Sequence, residues 1–320
     1  MSRGWPAHVR SVQVGGGPLA VLALFAGRVR RALLRRFCPR YVAQLRGERT
    51  GSCPDCEHDV LDGRDLVWVQ NVCGYELPPE LRVDAFSDRF GLVRLGRPEL
   101  LACAALGAAL AAFALSLAPW LAPAPLLLPA FALWFFRDPE RPSPKAPDLV
   151  LAPADGVLDV LQREALCPFF EGPAIRLGIY LSLFDVHVNR VPVSGHAERF
   201  EYRRGAHRRT KQRGCTDANE QLVTWFRSDA GLPIVVRQIA GPAARRICNV
   251  LGAGQAVVAG QRFGLIKFGS RTELWLPDAP GLQLSVRLGQ RMRGATTVIA
   301  NLSTLDPSRR AALRAAPCGR

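Results

Sequence analysis

The sequence predicts an α+β protein: a mainly β domain in its C-terminal half, preceded by a helical membrane hairpin. Two observations carry this. Residues 100–136 contain no charged side chain, and beyond Pro142, Pro144 and Pro147 the chain changes to short apolar runs separated by glycine turns. With 320 residues, 48% of them hydrophobic, the chain can bury a sizeable core and divide into two or three units.

Residues 1–37 form a basic N-terminal segment in which Arg28, Arg30, Arg31, Arg35, Arg36 and Arg40 follow an apolar run over residues 18–26. The run is short, the charge follows it rather than preceding it, and no small-residue cleavage site stands out, so a secretory signal fits poorly. A basic helix resting on anionic lipid headgroups and a solvated helix face are both open readings.

Residues 38–97 are Cys-rich. Cys38, Cys53, Cys56 and Cys73 lie in a C-x14-C-x2-C-x16-C pattern with His58 two residues past the central pair. This spacing can close four thiolates around one tetrahedral metal. Zinc is the simplest occupant, an iron-sulfur cluster takes the same ligands, and four reduced cytosolic cysteines or a Cys53–Cys56 redox pair are the alternatives. The total of nine cysteines is odd, which argues against an extensive disulfide framework and for a reducing compartment.

Residues 98–136 form the hairpin. A net charge of +15 and a pI near 10.3 imply attraction to polyanions, and the uncharged stretch selects a membrane over nucleic acid. Arg94 and Arg97 before it and Arg137 and Arg141 after it place both flanks on the cytoplasmic side, while Pro119, Pro123 and Pro125 supply the break. Wholly helical, the stretch would reach about 55 Å, against roughly 60 Å for two crossings of a ~30 Å hydrocarbon core. A re-entrant hairpin and two full spans are therefore both open.

From residue 137 onward the better strand candidates are 149–151, 157–160, 175–184, 234–239, 265–268, 282–288 and 296–299. No G-x-G-x-x-G after a strand and no P-loop is present, which argues against nucleotide-dependent chemistry. The informative pair is Gly269-Ser270, since a serine after glycine in a strand-like segment can attack its own peptide bond. Ser270 needs a base, and a histidine held by a carboxylate supplies one. His187, just past the end of the 175–184 run, and Asp155, in a turn before Gly156, are the candidates.

Five ordered motifs, Phe136-Arg137-Asp138-Pro139-Glu140-Arg141, Ala152-Pro153-Ala154-Asp155-Gly156, Phe184-Asp185-Val186-His187-Val188-Asn189-Arg190, Gln238-Ile239-Ala240-Gly241 with Ala244-Arg245-Arg246-Ile247, and Gly269-Ser270-Arg271, together resemble the phosphatidylserine decarboxylase family over residues 97–302. The Gly-Ser-Arg triplet is similar to the shorter branch of that family. The resemblance implies a decarboxylase-like fold and self-cleavage between 269 and 270: Ser270 attacks the Gly269 carbonyl, and the resulting ester eliminates to leave Ser270 as an N-terminal pyruvoyl group. Residues 1–269 and 270–320 would then be the two subunits, held together by shared strands.

It further implies that the pyruvoyl ketone condenses with the amine of phosphatidylserine and draws off the electrons released with carbon dioxide, yielding phosphatidylethanolamine. Asn219, Glu220, Arg245 and Arg246 match family positions, and pocket lining, with the arginines suited to phosphate oxygens, and plain surface solvation are both open readings of them. Arg190 departs from another branch, which has a second histidine there, so His187 alone would serve both cleavage and decarboxylation. The partners implied are phosphatidylserine, an anionic membrane and the cleaved small subunit, with no nucleic acid; a homodimer is left open. The competing class is a non-catalytic, membrane-associated metal-binding protein that keeps the fold.

Overall fold

The computed structural model describes residues 13–14, 18–53, 59–86, 89–146, 148–164, 166–208, 215–242 and 246–305. It divides into two compact units, one of residues 16–69 and 73–140 and the other of residues 1–15, 70–72 and 141–320.

The first unit is helical. Helix α1 (Pro18–Phe37) leaves Val21, Leu22, Phe25, Val29, Leu33 and Phe37 exposed, a four-residue spacing that draws one apolar stripe along the helix. Its arginines divide into two sets. Arg30 pairs with Asp62 at 2.6 Å and Asp65 at 2.8 Å, and Arg31 pairs with Asp65 at 2.8 Å and Asp59 at 3.2 Å, with Arg35 also on Asp59. Burial alone would push the Asp62 carboxyl up, but the Arg30 guanidinium holds it below the usual carboxylate range. Arg28, Arg36 and Arg40 stay exposed and have no acidic partner among the described residues.

Helix α2 (Pro39–Glu48) and helix α3 (Gly63–Val69) follow, and then the hairpin. Helix α4 (Arg97–Leu117) lies within Arg94–Leu117, the one helix among the described residues long and apolar enough to cross a membrane, and its surface is almost entirely uncovered. Pro119, Pro123 and Pro125 break the chain into two 3₁₀ turns before helix α5 (Leu127–Phe135) returns, since proline removes the donors a continuing helix needs. Nine residues of α5 reach only about 14 Å, half of a ~30 Å hydrocarbon core.

The second unit is antiparallel β. An eight-stranded sheet runs in the order β10 (Gln255–Val257), β6 (Gly195–Arg203), β7 (Gln221–Ser228), β8 (Pro233–Ala240), β12 (Ser270–Pro277), β4 (Ala174–Leu181), β3 (Gly156–Glu164), β13 (Arg291–Met292). A four-stranded sheet runs β1 (Gln13–Val14), β9 (Arg246–Asn249), β11 (Arg262–Lys267), β5 (Val188–Arg190), and β2 (Leu149–Leu151) pairs with β14 (Val298–Asn301). The sheets share one core that includes Leu158, Leu177, Ile179, Phe226, Ile234, Phe263, Ile266 and Leu274, all fully buried. Each such side chain contributes about 1.5–3 kcal/mol.

Strand β12 is buried at all eight positions although it reads Ser-Arg-Thr-Glu at its start. Ser270, Thr272 and Leu274 take one face and Arg271, Glu273 and Trp275 the other, as the two-residue period requires. On the second face Glu273 is held by Arg176 at 2.7 Å and Arg237 at 3.6 Å, and Phe169 packs edge-on against Trp225 and Trp275 at 5.8 and 5.2 Å. That covering explains why apolar alternation did not reveal the strand. Expected strand 282–288 is instead an irregular loop with one bridge, Leu284 to Ala300. Expected strand 175–184 stops at Leu181, where Ser182–Asp185 turns.

Candidate functional site

The chain passes from the four-stranded sheet to the eight-stranded one through only Phe268 and Gly269, between the end of β11 and Ser270 at the start of β12. Both residues take left-handed φ values, 66° and 73°. Glycine adopts them freely. Phenylalanine does not, and the conformation costs about 1–2 kcal/mol.

Four groups converge on this turn. The Ser270 Oγ is fully buried and has no hydrogen-bond partner, a state that costs a hydroxyl about 1–3 kcal/mol and that packing does not require. The Gly269 carbonyl oxygen accepts a 3.1 Å hydrogen bond from the Gly241 N–H, which polarises the carbon one bond before Ser270. The Gly269 N–H in turn donates to His187 Nε2 at 3.3 Å. His187 is fully buried, and its Nδ1 lies 2.8 Å from the Asp185 carbonyl oxygen. A carbonyl can only accept, so Nδ1 carries the proton, and the Nε2 lone pair accepts from the Gly269 N–H, one residue before Ser270.

Asp185 is the residue that sequence reasoning left without a role. Its carboxylate accepts from the Ser182 N–H at 2.9 Å, the Ser182 hydroxyl at 2.8 Å and Arg291 at 2.6 Å, which pins the 182–185 turn and aims the Asp185 carbonyl at the ring. The signal was present as a serine three residues before an aspartate, a common turn signature.

Asp155, expected to hold His187, has other partners. Arg141 grips it through both nitrogens, one at 2.6 Å, and the Gly294 N–H donates to it at 2.8 Å. The imidazole is therefore oriented by a main-chain carbonyl, while Asp155 ties the 141 segment to the 294 turn. Arg190 reaches the Gly260 carbonyl at 3.4 Å, so no second base occupies its position.

Of the expected pocket residues, Asn219 spends its side chain on the chain itself: Arg208 N–H at 2.9 Å, Arg208 carbonyl at 2.8 Å and Ala240 carbonyl at 2.8 Å. It fixes the edge of the site. Glu220 lies in one cross-sheet row with Ala240 and Ser270, is 6% exposed, and leaves Oε1 unpartnered while His207 stands 3.5 Å from Oε2. Burial pushes its carboxyl up, opposed by His207, Tyr202 and Arg204. Arg246 is buried on β9 opposite Lys267, and Arg245 lies outside the described residues. Arg271 pairs with Asp159 on the far face.

The four-thiolate expectation receives no support. Cys38 is exposed between α1 and α2 and Cys73 is fully buried, and among the described residues no three His, Cys, Asp or Glu side chains converge to hold a metal. Cys56 and His58 lie outside the described residues.

A buried serine with an orphaned hydroxyl, a polarised carbonyl immediately before it and a histidine on the Gly269 N–H thus surround one glycine–serine bond. The chain belongs to the phosphatidylserine decarboxylase family, whose profile matches residues 128–300. A Salinibacter ruber protein named phosphatidylserine decarboxylase proenzyme is 42% identical over 183 residues, 56% of this chain and 79% of its own length. One of the same name from Gluconacetobacter diazotrophicus is 43% identical over 213 residues, 64% of this chain and 92% of its own length.

Replacing Phe268 by asparagine, which tolerates the left-handed region, is expected to stabilise the uncut chain and slow its cleavage about 3- to 10-fold, the rate equivalent of about 1 kcal/mol of lost strain. Quenched-flow or time-course mass spectrometry of freshly translated protein reads this, and an unchanged rate removes strain from the account. For Glu220, whose folded value is raised, the neutral acid favours folding. That contribution is complete below the ordinary glutamate value and is lost as pH climbs through the folded one. Glu220→Gln should therefore gain melting temperature relative to the parent as pH rises above the ordinary glutamate value and through the raised folded one, and a pH-independent difference contradicts the burial argument.

Proposed function

We propose that this chain is a proenzyme that cuts itself between Gly269 and Ser270 and then decarboxylates phosphatidylserine to phosphatidylethanolamine. The observation that carries the reading is the set of contacts around one bond: His187 Nε2 on the Gly269 N–H, the Gly241 N–H on the Gly269 oxygen, and the unpartnered Ser270 Oγ beside them.

Each contact has a part in the cleavage. His187 Nε2 exchanges the Gly269 N–H for the Ser270 hydroxyl, one residue further along the chain, and takes its proton, and Oγ attacks the Gly269 carbonyl carbon. The Gly241 N–H stabilises the negative charge that gathers on the Gly269 oxygen, the role of an oxyanion donor. The His187 imidazolium gives its proton to the Ser270 nitrogen as the C–N bond breaks, leaving an ester between Gly269 and the Ser270 side chain. Loss of the Ser270 Cα proton expels the Gly269 carboxylate, and water then releases the nitrogen as ammonia. These residues fit a pyruvoyl group at position 270, which supplies the ketone that takes up the substrate amine and draws off the electron pair freed with carbon dioxide.

The new N-terminus stays in place because β12 is hydrogen-bonded to β8 on one side and β4 on the other from Ser270 onward. The rim suits an amphipathic substrate. Leu183, within 4 Å of the position a side chain would take at Gly269, is 41% exposed, its neighbour Phe184 is 66% exposed and Leu288 60%. The groove of residues 284–291 beside Arg291 has a volume of about 930 Å³ and presents Arg287 with Leu284 and Leu288. We assign this rim, and the apolar stripe of α1 with Arg28, Arg36 and Arg40, to contact with an anionic membrane, with the hairpin entering the same bilayer from its cytoplasmic side.

Intact mass under denaturing conditions tests the first claim. A fragment starting at residue 270 with a blocked end is expected from the parent and an uncut chain from Ser270→Ala; an uncut parent would leave the non-catalytic reading standing. For the rim, Phe184→Asp is expected to lower decarboxylation of phosphatidylserine in vesicles at least 10-fold while sparing turnover of soluble glycerophosphoserine. Equal losses on both substrates argue against a lipid-facing rim.

A further inference from the structure

Behind the cut site lies a layer of buried polar side chains that the processing chemistry does not use. Asn189 on β5, Gln238 on β8 and Thr272 on β12 are all fully buried and bridge the two sheets. Asn189 Nδ2 is 3.1 Å from Thr272 Oγ1 and 3.5 Å from the Pro153 carbonyl oxygen, and Gln238 Nε2 is 2.7 Å from Asn189 Oδ1.

The orientation of these amides follows from what each neighbour can do. The Pro153 carbonyl only accepts, so the nitrogen of Asn189 must face it and the oxygen must face Gln238. Gln238 meets that oxygen with its own nitrogen. Its Oε1 is left fully buried with no partner. The strand next to it is shaped for this side chain, because a Cβ at Gly264 would stand 2.7 Å from Gln238 Nε2 and 2.8 Å from the Cys248 carbonyl. Only glycine leaves that space.

Register places Gln238 diagonally across from the reacting residue. Ser270 stands opposite Ala240 and Thr272 opposite Gln238, so Gln238 is the diagonal neighbour of Ser270 on the same face, about 7–8 Å away and within reach of a long side chain. Two buried, unpartnered oxygens, Gln238 Oε1 and Ser270 Oγ, thus belong to diagonal neighbours on one face of the sheet. An unsatisfied buried acceptor is costly, and this one lacks a donor.

We propose that Gln238 Oε1 reads the amino group of the substrate. This rests on the proposed phosphatidylserine reading, whose headgroup has one donor cluster, the ammonium, and two acceptor clusters, the carboxylate and the phosphate. A lone carbonyl oxygen attracts the first and repels the other two. Gln238 therefore selects a primary ammonium and turns the headgroup nitrogen toward residue 270.

The test uses cleaved protein whose ketone has been reduced with borohydride, so that binding is read without turnover. Calorimetry compares glycerophosphoserine with its N,N,N-trimethyl analogue, which has no N–H. The parent is expected to favour the serine headgroup by about tenfold or more, the worth of a hydrogen bond from a charged donor. Gln238→Met, similar in length without an acceptor, should bring the ratio near one, and Gln238→Glu, which keeps an oxygen there, should retain the preference. A steric penalty from the methyl groups would survive in Gln238→Met, so a preserved ratio there means that Oε1 faces only ordered water and overturns the proposal. Loss of the preference in Gln238→Glu overturns it as well. An uncut parent chain overturns both this role and the processing reading, whereas a cut chain with an unchanged ratio removes Gln238 alone.

Discussion

The hydrogen bond from the Gly269 amide to His187 Nε2 is the contact on which the rest of the site depends. It requires a neutral imidazole with its proton on Nδ1, and that tautomer is enforced by the Asp185 carbonyl. It requires Gly269 to turn its N–H away from any strand ladder, which the left-handed pair Phe268–Gly269 accomplishes. It also leaves the Gly269 carbonyl directed at Gly241. One main-chain geometry therefore fixes the His187 imidazole, the Gly269 carbonyl and the Gly241 N–H around a single turn. The carboxylate-histidine relay familiar from hydrolases is replaced here by a carbonyl, and the carboxylate of Asp185 acts one step further back by holding its own turn.

The two-sheet architecture gives that turn its leverage. Strand β11 ends bonded to β9 and β5, and β12 begins bonded to β4 and β8, so the two residues between them must connect two independently fixed ladders. Relaxing Phe268 would mean shifting a full strand against its neighbours, at the expense of several hydrogen bonds and of buried side chains such as Ile266 and Leu274. The surrounding structure over-determines the strained residue. The same confinement leaves Ser270 Oγ and Gln238 Oε1 without a protein partner, since neither strand can move to offer one.

Much of this was legible in the residues. Gly269-Ser270 and His187 were read together, and the structure brings them within hydrogen-bond reach through the Gly269 N–H; the uncharged 100–136 stretch together with its three prolines gave a hairpin with its break where Pro119, Pro123 and Pro125 stand. Among the strands that escaped reading, β6, β7 and β12 have charged residues matched by partners on neighbouring strands: Arg227 by Glu198 and Glu273 by Arg176. A single-sequence pattern sees a polar run and cannot see the partner. Asp155 was misjudged for a related reason, because its sequence position before a glycine turn was correct but its ion pair with Arg141 becomes visible only in three dimensions. The basic character of α1 was plain, whereas the division of its arginines between Asp59, Asp62, Asp65 and solvent was not.

The placement of the cut at the first residue of a strand held on both edges has a consequence for the life of the molecule. The reactive group is manufactured at its working position, in a ratio fixed at one per polypeptide, and it never passes through solution. Nothing in the cell needs to synthesise, deliver or salvage it. By the same token, a molecule whose residue 270 has been chemically spoiled cannot exchange it for a fresh one, and capacity is restored only by translating a new chain.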